Sequence, residues 1–312
     1  MKRLTALFLT FALLFSLAAC SGDVTEANRT SPSENNNSTS SPKEESTSDG
    51  QISDKDDSAN EISFTELVVV DNDECTIKIV SIDPDNLWGY TLKVQLENKS
   101  SEKTYMYSVE SAAINGVRSD PFFATEVAAG KKSNNDITFS DSELTDNGVG
   151  DFTDIELTFR VYDSDDWMAD AVAMETVHVY PYGKDKAVTF VRTPQDTDNV
   201  ILDNDNVTVI VTGYEDDDIW GYTVNLFLLN KTDKNVMFSV DEASVNGYMA
   251  DPFYATEVAS GKCAFSSMSW SDSTLEDNGI TAIEEIEFKF RAYDSENWFG
   301  DDFANETITL KP

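Results

Sequence analysis

An internal duplication constrains the fold of this chain more than any other feature. Residues 120–128 read DPFFATEVA, and residues 251–259 repeat them as DPFYATEVA. The motif Trp-Gly-Tyr-Thr occurs at residues 88–91 and again at residues 220–223. The length of 312 residues allows about two domains. We therefore expect one domain that is used twice, in residues 61–194 and 195–312.

The N-terminus has the pattern of an export signal. Residues 1–19 contain the cations Lys2 and Arg3, then an apolar run over residues 4–17, then small residues ahead of Cys20. This order is typical of a signal peptide. The apolar run is shorter than the roughly 20 residues that span a bilayer. The sequence therefore predicts export, and not a transmembrane helix.

The end of this signal resembles the lipobox of bacterial lipoproteins, because residues 17–20 read Leu-Ala-Ala-Cys. In that family the cysteine sulfur receives a diacylglycerol, and the signal is cut just before it. The resemblance implies that Cys20 is the lipidated first residue of the mature protein. Since two acyl chains give stable anchoring, we expect an extracytoplasmic protein on the outer face of the bacterial cell membrane. An ordinary secretory signal with a coincidental cysteine is the alternative.

The segment that follows is polar and acidic. Residues 20–60 have almost no apolar side chains, so they cannot bury enough surface to fold alone, and we expect a disordered tether. The whole chain has 58 acidic and 22 basic residues, a formal charge of −36. This charge argues against nucleic acid as a partner, because phosphate binding needs clustered Lys and Arg. It also gives the folded surface no attraction to anionic lipid.

Alternating apolar residues predict β-strands in both copies. A period of two is typical of a half-buried strand, and the inward sets of one such strand are Trp88, Tyr90, Leu92, Val94 and Leu96 in the first copy and Trp220, Tyr222, Val224, Leu226 and Leu228 in the second. Asn-Gly pairs at 115–116 and 246–247 predict hairpins. Residues 140–148 and 271–279 each predict one helical turn, with Ser at its start and Gly at its end. We expect an all-β fold of two tandem antiparallel sandwiches of immunoglobulin type.

The order of short motifs in each copy supports this fold by resemblance. Each copy has Asn-Lys-Ser or Asn-Lys-Thr, then Asn-Gly, Gly-Lys, Asp-Asn-Gly and Phe-Arg-x-Tyr-Asp. This order resembles the immunoglobulin-like domains of lipoproteins from Gram-positive bacteria, over residues 65–312. The resemblance rests on turn and core residues. It implies a surface lipoprotein with an adhesive, ligand-binding or structural role, and it supplies no catalytic residues.

The chain has few residues for nucleophilic or redox chemistry. His178 is the only histidine, it lies in a predicted strand, and it matches Thr309 in the other copy. A catalytic triad or a histidine zinc site has no other imidazole to use, so we expect no enzyme. Cys75 and Cys263 occupy non-equivalent positions of different copies, and a disulfide would need their Cα atoms within about 7 Å. We interpret Cys75 as a small core residue.

Acidic residues crowd the loop that follows Tyr-Asp-Ser in both copies. They are Asp163, Asp165 and Asp166 in the first copy and Asp294 and Glu296 in the second. Asp-x-Asp spacing suits calcium, so a calcium-dependent structural or adhesive module is one alternative function. No loop has the EF-hand pattern, and a solvated acidic rim without a cofactor is the simpler interpretation. A carbohydrate-active enzyme that uses paired loop carboxylates is the second alternative.

Trp167 and Trp298 lie in the same two loops. An indole there either closes the end of the sandwich or offers a flat face to a ligand, and we favour the first. Together with Tyr162 and Tyr293, these tryptophans form the candidate ligand-binding set.

Further aromatic residues have predicted places in the core. We expect Trp88 and Trp220 to be buried. In the DPF motif, we expect Phe122 or Phe253 to reach the core, while Thr125 and Glu126 stay in solvent.

The copies differ at two places that point to a contact between them. Phe227 and Leu229 replace Gln95 and Glu97 on the outward face of one strand. Adjacent outward apolar residues usually mark a contact surface, so we expect the two domains to pack there. Residues 183–193 have no counterpart in the second copy, which predicts a connector or an extra strand.

The leading hypothesis from these features is a non-enzymatic, lipid-anchored cell-surface protein. Its tandem domains bind an extracellular protein, peptide or glycan.

Overall fold

Strands form most of the regular structure of this protein. The computed structural model describes residues 61–217 and 221–312. The predicted signal peptide, Cys20, the tether and Trp220 lie outside the described residues. The all-β prediction is confirmed. Within the described ranges, no helix has the length and apolar character that crossing a membrane requires.

The first repeat forms two antiparallel sheets. Its strands are β1 (Leu67–Asp71), β2 (Cys75–Asp83), β3 (Tyr90–Asn98), β4 (Tyr105–Ile114), β5 (Val117–Ser119), β6 (Ala124–Val127), β7 (Lys132–Phe139), β8 (Ile155–Asp163) and β9 (Ala173–Val179). One sheet has the order β1-β2-β3-β7. In the other, β4 pairs with β5, β6 and β8, and β9 lies beyond β8.

The second repeat has the same pairing. Its strands are β10 (Asn199–Asp203), β11 (Val207–Asp217), β12 (Gly221–Asn230), β13 (Val236–Val245), β14 (Tyr248–Met249), β15 (Ala255–Val258), β16 (Cys263–Trp270), β17 (Ile286–Asp294) and β18 (Ala304–Leu310). One set has the order β10-β11-β12-β16. In the other set, β13 pairs with β14, β15 and β17, and β18 lies beyond β17. A parallel pair, Cys263 with Val117, joins β16 to β5 and creates one nine-stranded sheet across the two repeats.

Each repeat has a hydrophobic core that follows from the alternation in the sequence. In β3, Leu92, Val94 and Leu96 are buried, while Lys93 is half-buried and Gln95 is exposed. The second core contains Leu226, Phe238 and Phe290 in the same way, among other residues. Since a fully buried Leu or Phe stabilises a fold by about 2–3 kcal/mol, these alternating strands supply much of the driving force for folding.

Short helices lie where the sequence predicts them. They are α1 (Asp141–Asp146) and α2 (Asp272–Asp277). The hydroxyl of Ser271 accepts a hydrogen bond from the Thr274 N–H and caps α2. The predicted Asn-Gly hairpins are also present, with φ of 53° at Asn115 and 51° at Asn246.

The prediction that Trp88 is buried is wrong, because its side chain is 80% exposed. Strand β3 begins at Tyr90, and Gly89 before it has φ of 118°. A Cβ on Gly89 would lie 2.2 Å from the carbonyl oxygen of Phe139. The backbone therefore leaves the strand path at this glycine, so that the inward alternation starts at Tyr90 and does not include Trp88.

The prediction for the DPF motif is wrong by one residue. Phe122 is 96% exposed and Phe253 is also exposed, whereas Phe123 is buried. Tyr254, the counterpart of Phe123, packs against the second core. The chain is already extended ahead of β6, and the alternation that buries Val127 also turns Phe123 inward. In the same motif Thr125 is half-buried and Glu126 is exposed.

A buried asparagine fastens the loop after β3 in each repeat. The side-chain amide of Asn98 donates to the carbonyl oxygens of Lys103, at 2.8 Å, and Val127, at 2.7 Å. Its oxygen accepts from the Ser100 N–H at 2.9 Å. Asn230 makes the equivalent bonds in the second repeat. This one side chain ties the β3–β4 loop to the end of β6.

Replacing this asparagine should destabilise the fold strongly. We expect Asn98→Ala to lower the free energy of unfolding by about 3 kcal/mol, because two carbonyls and one amide lose their partner in a buried place. Urea denaturation of residues 61–312 measures the change. The control is Asn134→Ala, which removes an exposed side chain and should cost about 0.5 kcal/mol or less. Equal losses in the two variants would contradict this role.

Candidate functional site

The two repeats meet at a surface that we call the repeat joint. It consists of the β4–β5 hairpin of the first repeat, the β16 edge of the second, and the connecting residues 187–198. The N–H of Cys263 donates to the carbonyl oxygen of Gly116 at 3.0 Å. The N–H of Phe190 donates to the carbonyl oxygen of Asn115 at 2.7 Å. The residues without a counterpart thus form a connector, with one short 3-10 turn at Lys184–Lys186 and no strand.

An apolar cluster fills the repeat joint. Phe227 is 6% exposed and belongs to the same buried cluster as the core of the first repeat, and Leu229 packs against that cluster. The ring of Phe265 lies 5.3 Å from that of Phe227 and 6.0 Å from that of Phe190. The structure thus places both residues of the predicted contact at the joint. Sequence reasoning missed Phe265, although it stands where the first copy has Asn134.

An ion pair holds the connector over this cluster. Both terminal nitrogens of the Arg192 guanidinium lie 2.6 Å from carboxylate oxygens of Asp198. The guanidinium also lies 5.4 Å from the centre of the Phe227 ring. Arg192 holds the pKa of the Asp198 carboxyl below its usual value. The pair therefore stays ionised at neutral pH.

Charged residues of the two repeats also meet at the repeat joint. The Lys262 Nζ lies 2.5 Å from the Glu156 Oε2, and the His178 Nε2 lies 3.4 Å from the same oxygen. The Nδ1 of His178 is 2.7 Å from the carboxylate of Asp154. A histidine that activates a serine or cysteine nucleophile needs that hydroxyl or thiol within hydrogen-bond reach, whereas both nitrogens of this ring face carboxylates. The arrangement is that of an ion-pair cluster that links the repeats.

A shallow groove of about 690 Å³ lies beside this ion-pair cluster, with lining residues from both repeats. Arg118 and Lys262 are the cations of its lining. Arg118 lies 2.7 Å from Asp120, and Lys262 is bound to Glu156. Both cations are already paired, so the groove offers no free positive charge to an anionic ligand.

The two cysteines of the described chain are free and buried. Burial raises the pKa of the Cys75 thiol and of the Cys263 thiol to about 11. Since the thiolate is the reactive form, neither is an effective nucleophile at neutral pH. Cys75 lies in the core of the first repeat, as expected, while Cys263 is covered at the repeat joint.

Trp167 and Trp298 occupy the β8–β9 and β17–β18 loops, and the prediction that they close the ends of the sandwiches is wrong. Their side chains are 66% and 64% exposed. Each has an exposed apolar neighbour in the chain, Met168 and Phe299. The Trp298 and Phe299 rings lie 4.3 Å apart. We call these two adjacent pairs the aromatic loop tips.

Tight turns explain why the tips face solvent. In the first repeat, the Ala169 N–H donates to the carbonyl oxygen of Asp166 at 3.1 Å. In the second, the Gly300 N–H donates to that of Asn297 at 2.8 Å. The tip residues are the two central residues of each turn, so the backbone hydrogen bonds close the loop without the indole.

Tyr162 and Tyr293 lie on the strands that lead to the aromatic loop tips, and both are half-buried. The guanidinium of Arg160 lies 4.4 Å from the centre of the Tyr162 ring. That of Arg291 lies 4.8 Å from the centre of the Tyr293 ring. One face of each tyrosine is therefore covered by its own sheet. The exposed parts of this candidate set are the two tryptophans.

The acidic residues of these loops have local partners. Asp163 lies 3.1 Å from the Lys103 Nζ, which lowers the pKa of its carboxyl, and it accepts the Asp165 N–H. Asp294 accepts the Glu296 N–H at 3.0 Å. Asp166 is exposed. In residues 61–217 and 221–312, no group of three or more His, Cys, Asp and Glu side chains could hold a metal ion.

Comparison with known proteins finds only weak similarity. No protein-family model matches the sequence, and no curated protein does so significantly. The crystal structure of the YadV chaperone is similar with a TM-score of 0.23 and 13% identity, over 70% of this chain and 92% of that chain. A protein of unknown function from Porphyromonas gingivalis W83 has a TM-score of 0.22 and 12% identity, over 80% of this chain and 99% of its own. Similarities this weak support no conclusion about fold or function.

A charge at the centre of the repeat joint should open it. We expect Phe227→Asp to expose Cys263 to a thiol reagent in residues 61–312, because a carboxylate cannot stay buried among the Phe rings. Cys75 should stay protected, since it lies inside the first core. The labelling rate at each cysteine, read by mass spectrometry of peptides, measures the change.

The matched control for this experiment is Gln95→Asp, the equivalent substitution on the exposed face of the first repeat. It should leave both thiols as unreactive as in the unaltered chain. Unchanged protection of Cys263 in Phe227→Asp, in a folded protein, would show that this cluster does not hold the repeats together.

Proposed function

We propose that this chain is a non-enzymatic, lipid-anchored cell-surface protein that binds an extracellular protein, peptide or glycan through tandem immunoglobulin-like domains. The observation that carries the proposal is the pair of aromatic loop tips. Solvent-exposed large apolar residues usually mark a contact surface. Two equivalent loops that both expose a tryptophan next to Met168 or Phe299 form such a surface twice in one molecule.

The strand order supports the immunoglobulin-like part of the proposal. An immunoglobulin sandwich has strands A, B and E in one sheet and C, F and G in the other. Here β2, β3 and β7 are neighbours in one sheet, in the positions of strands A, B and E. Strands β4, β8 and β9 are neighbours in the other, in the positions of C, F and G. In this correspondence β1 is an additional edge strand, and the aromatic loop tips lie on the loops between F and G. Those loops are recognition loops in antibody variable domains.

The surroundings of His178 support a role without catalysis. Both ring nitrogens face carboxylates, those of Asp154 and Glu156, and the ring stacks on that of Tyr180 at 5.6 Å. At the start of the tip loops, the Asp163 carboxylate binds Lys103 and the Asp165 N–H, and the Asp294 carboxylate accepts the Glu296 N–H. These contacts favour a structural role for the charged groups. Recognition is then left to the exposed aromatic rings.

The binding role is tested with a soluble fragment of residues 61–312 on arrays of glycans, peptides and extracellular proteins. For a partner found in this way, we expect Trp298→Ala to weaken binding about tenfold, because loss of a contact tryptophan costs 1.4 kcal/mol or more. Trp167→Ala/Trp298→Ala should weaken binding further, since two linked sites raise the apparent affinity. The control is Trp88→Ala, which removes an exposed tryptophan from another loop. Equal affinity of the double variant and the unaltered fragment would overturn the proposal.

The anchor is tested separately in the full chain. We expect Cys20→Ala to move the protein from the membrane fraction to the soluble fraction, because the sulfur that would carry the diacylglycerol is absent. Immunoblots of both fractions, and mass spectrometry of the N-terminal peptide, measure this. The controls are Cys75→Ala and Cys263→Ala, which should remain membrane-bound. Retention of the Cys20→Ala protein on membranes would show that the anchor lies elsewhere.

A further inference from the structure

The repeat joint is asymmetric, because each repeat contributes a different surface. The first repeat presents the Asn115–Gly116 turn and the start of β5, where Val117 is fully buried. The second presents the β16 edge, whose Cys263 pairs with Val117. The contact is therefore heterologous: one sandwich uses its hairpin and the other uses its sheet edge.

The second repeat has the same hairpin, and Gly247, Tyr248 and Met249 at its tip are exposed. Asn246 and Gly247 have φ of 51° and 81°, close to the 53° and 87° of the hairpin at the joint. Strand β14 pairs with β13, and its other edge pairs with no strand in the described residues. Tyr248, the counterpart of Val117, is 55% exposed, and Met249 is also exposed. A backbone that serves as a docking element in one repeat thus carries two apolar side chains into solvent in the other.

A second copy of this chain does not offer a matching surface. On the second repeat, the face that meets the hairpin carries Ile210, Phe227, Leu229, Cys263 and Phe265. The equivalent residues of the first repeat are Lys78, Gln95, Glu97, Lys132 and Asn134. Lys132 is paired with Glu97 at 2.9 Å. Docking an apolar hairpin there would bury charges, and the β16 edge is already occupied by β5.

We propose that the β13–β14 hairpin, residues 245–249, is a docking element for a β-sandwich domain of another protein. The partner presents a sheet edge with an apolar outward face, as β16 does. Tyr248 and Met249 pack on that face, and the carbonyl oxygen of Gly247 accepts a main-chain N–H from the edge strand, as Gly116 does at the joint. This site is separate from the aromatic loop tips and does not depend on their role.

The apolar face that the partner would present can be built on the first repeat of this chain. In residues 61–312, the changes Gln95→Phe, Glu97→Leu, Lys132→Val and Asn134→Phe convert the exposed face of the first repeat to the type found on the second. We expect the unaltered fragment to be a monomer. The converted fragment should form head-to-tail oligomers, because the hairpin of one molecule then finds a face on the next. Sedimentation velocity over a range of concentrations measures the mass.

Substitutions at the hairpin decide whether the oligomers use it. Tyr248→Asp in the converted fragment should restore the monomer, and Phe253→Asp, at an exposed aromatic position elsewhere, should leave the oligomers intact. A converted fragment that stays monomeric, or whose oligomers survive Tyr248→Asp, would overturn the proposal. If the four changes prevent folding, the pair Gln95→Phe/Glu97→Leu alone provides the face, and the same two outcomes apply.

Discussion

The packing of Phe227 and Phe265 of the second repeat against the first repeat and the connector decides how the two halves of this molecule join. Both repeats have the same strands and the same pairing, yet only the second has an apolar outward face on its first sheet. Burying Phe227 there contributes about 2–3 kcal/mol. Because the first repeat is polar at the equivalent positions, the contact has one possible order.

Much of this fold follows from short-range patterns. The alternation in β3, the Asn-Gly hairpins and the helical turn after Ser271 are all evident in the sequence, because each depends on residues close together in the chain. The exposure of Trp88 and Phe122 does not follow from such short-range patterns. The strand path ends at Gly89, where the backbone approaches Phe139 from another strand, and alternation alone does not show where a strand begins. The position of the DPF motif relative to the core also depends on tertiary packing.

The candidate sites also contain residues that the sequence predicts and residues that it does not. Comparison of the two copies was enough to single out Phe227 and Leu229, and it would also have found Phe265 by its exchange with Asn134. The exposure of Trp167 and Trp298 did not follow from the sequence, because an indole in an acidic loop fits both a buried and an exposed position. The backbone hydrogen bonds that the carbonyl oxygens of Asp166 and Asn297 accept close these loops and leave both indoles exposed. The two copies share their strands and strand pairing. A few side chains determine which surfaces of each copy are exposed and which are buried.

The single bridge between β16 and β5 also has a mechanical consequence. Within each repeat, a strand such as β3 is held by ladders along most of its length. At the joint, one β-bridge pair, Cys263 with Val117, links the two repeats beside the side-chain contacts already described. A force that separates the two repeats acts on that bridge and on the connector, residues 187–198. We expect the joint to open at a lower free energy than either ladder, because it has fewer backbone hydrogen bonds. Opening of the joint would separate the two repeats while each keeps its own strand ladders, so the length of the connector sets how far apart they move.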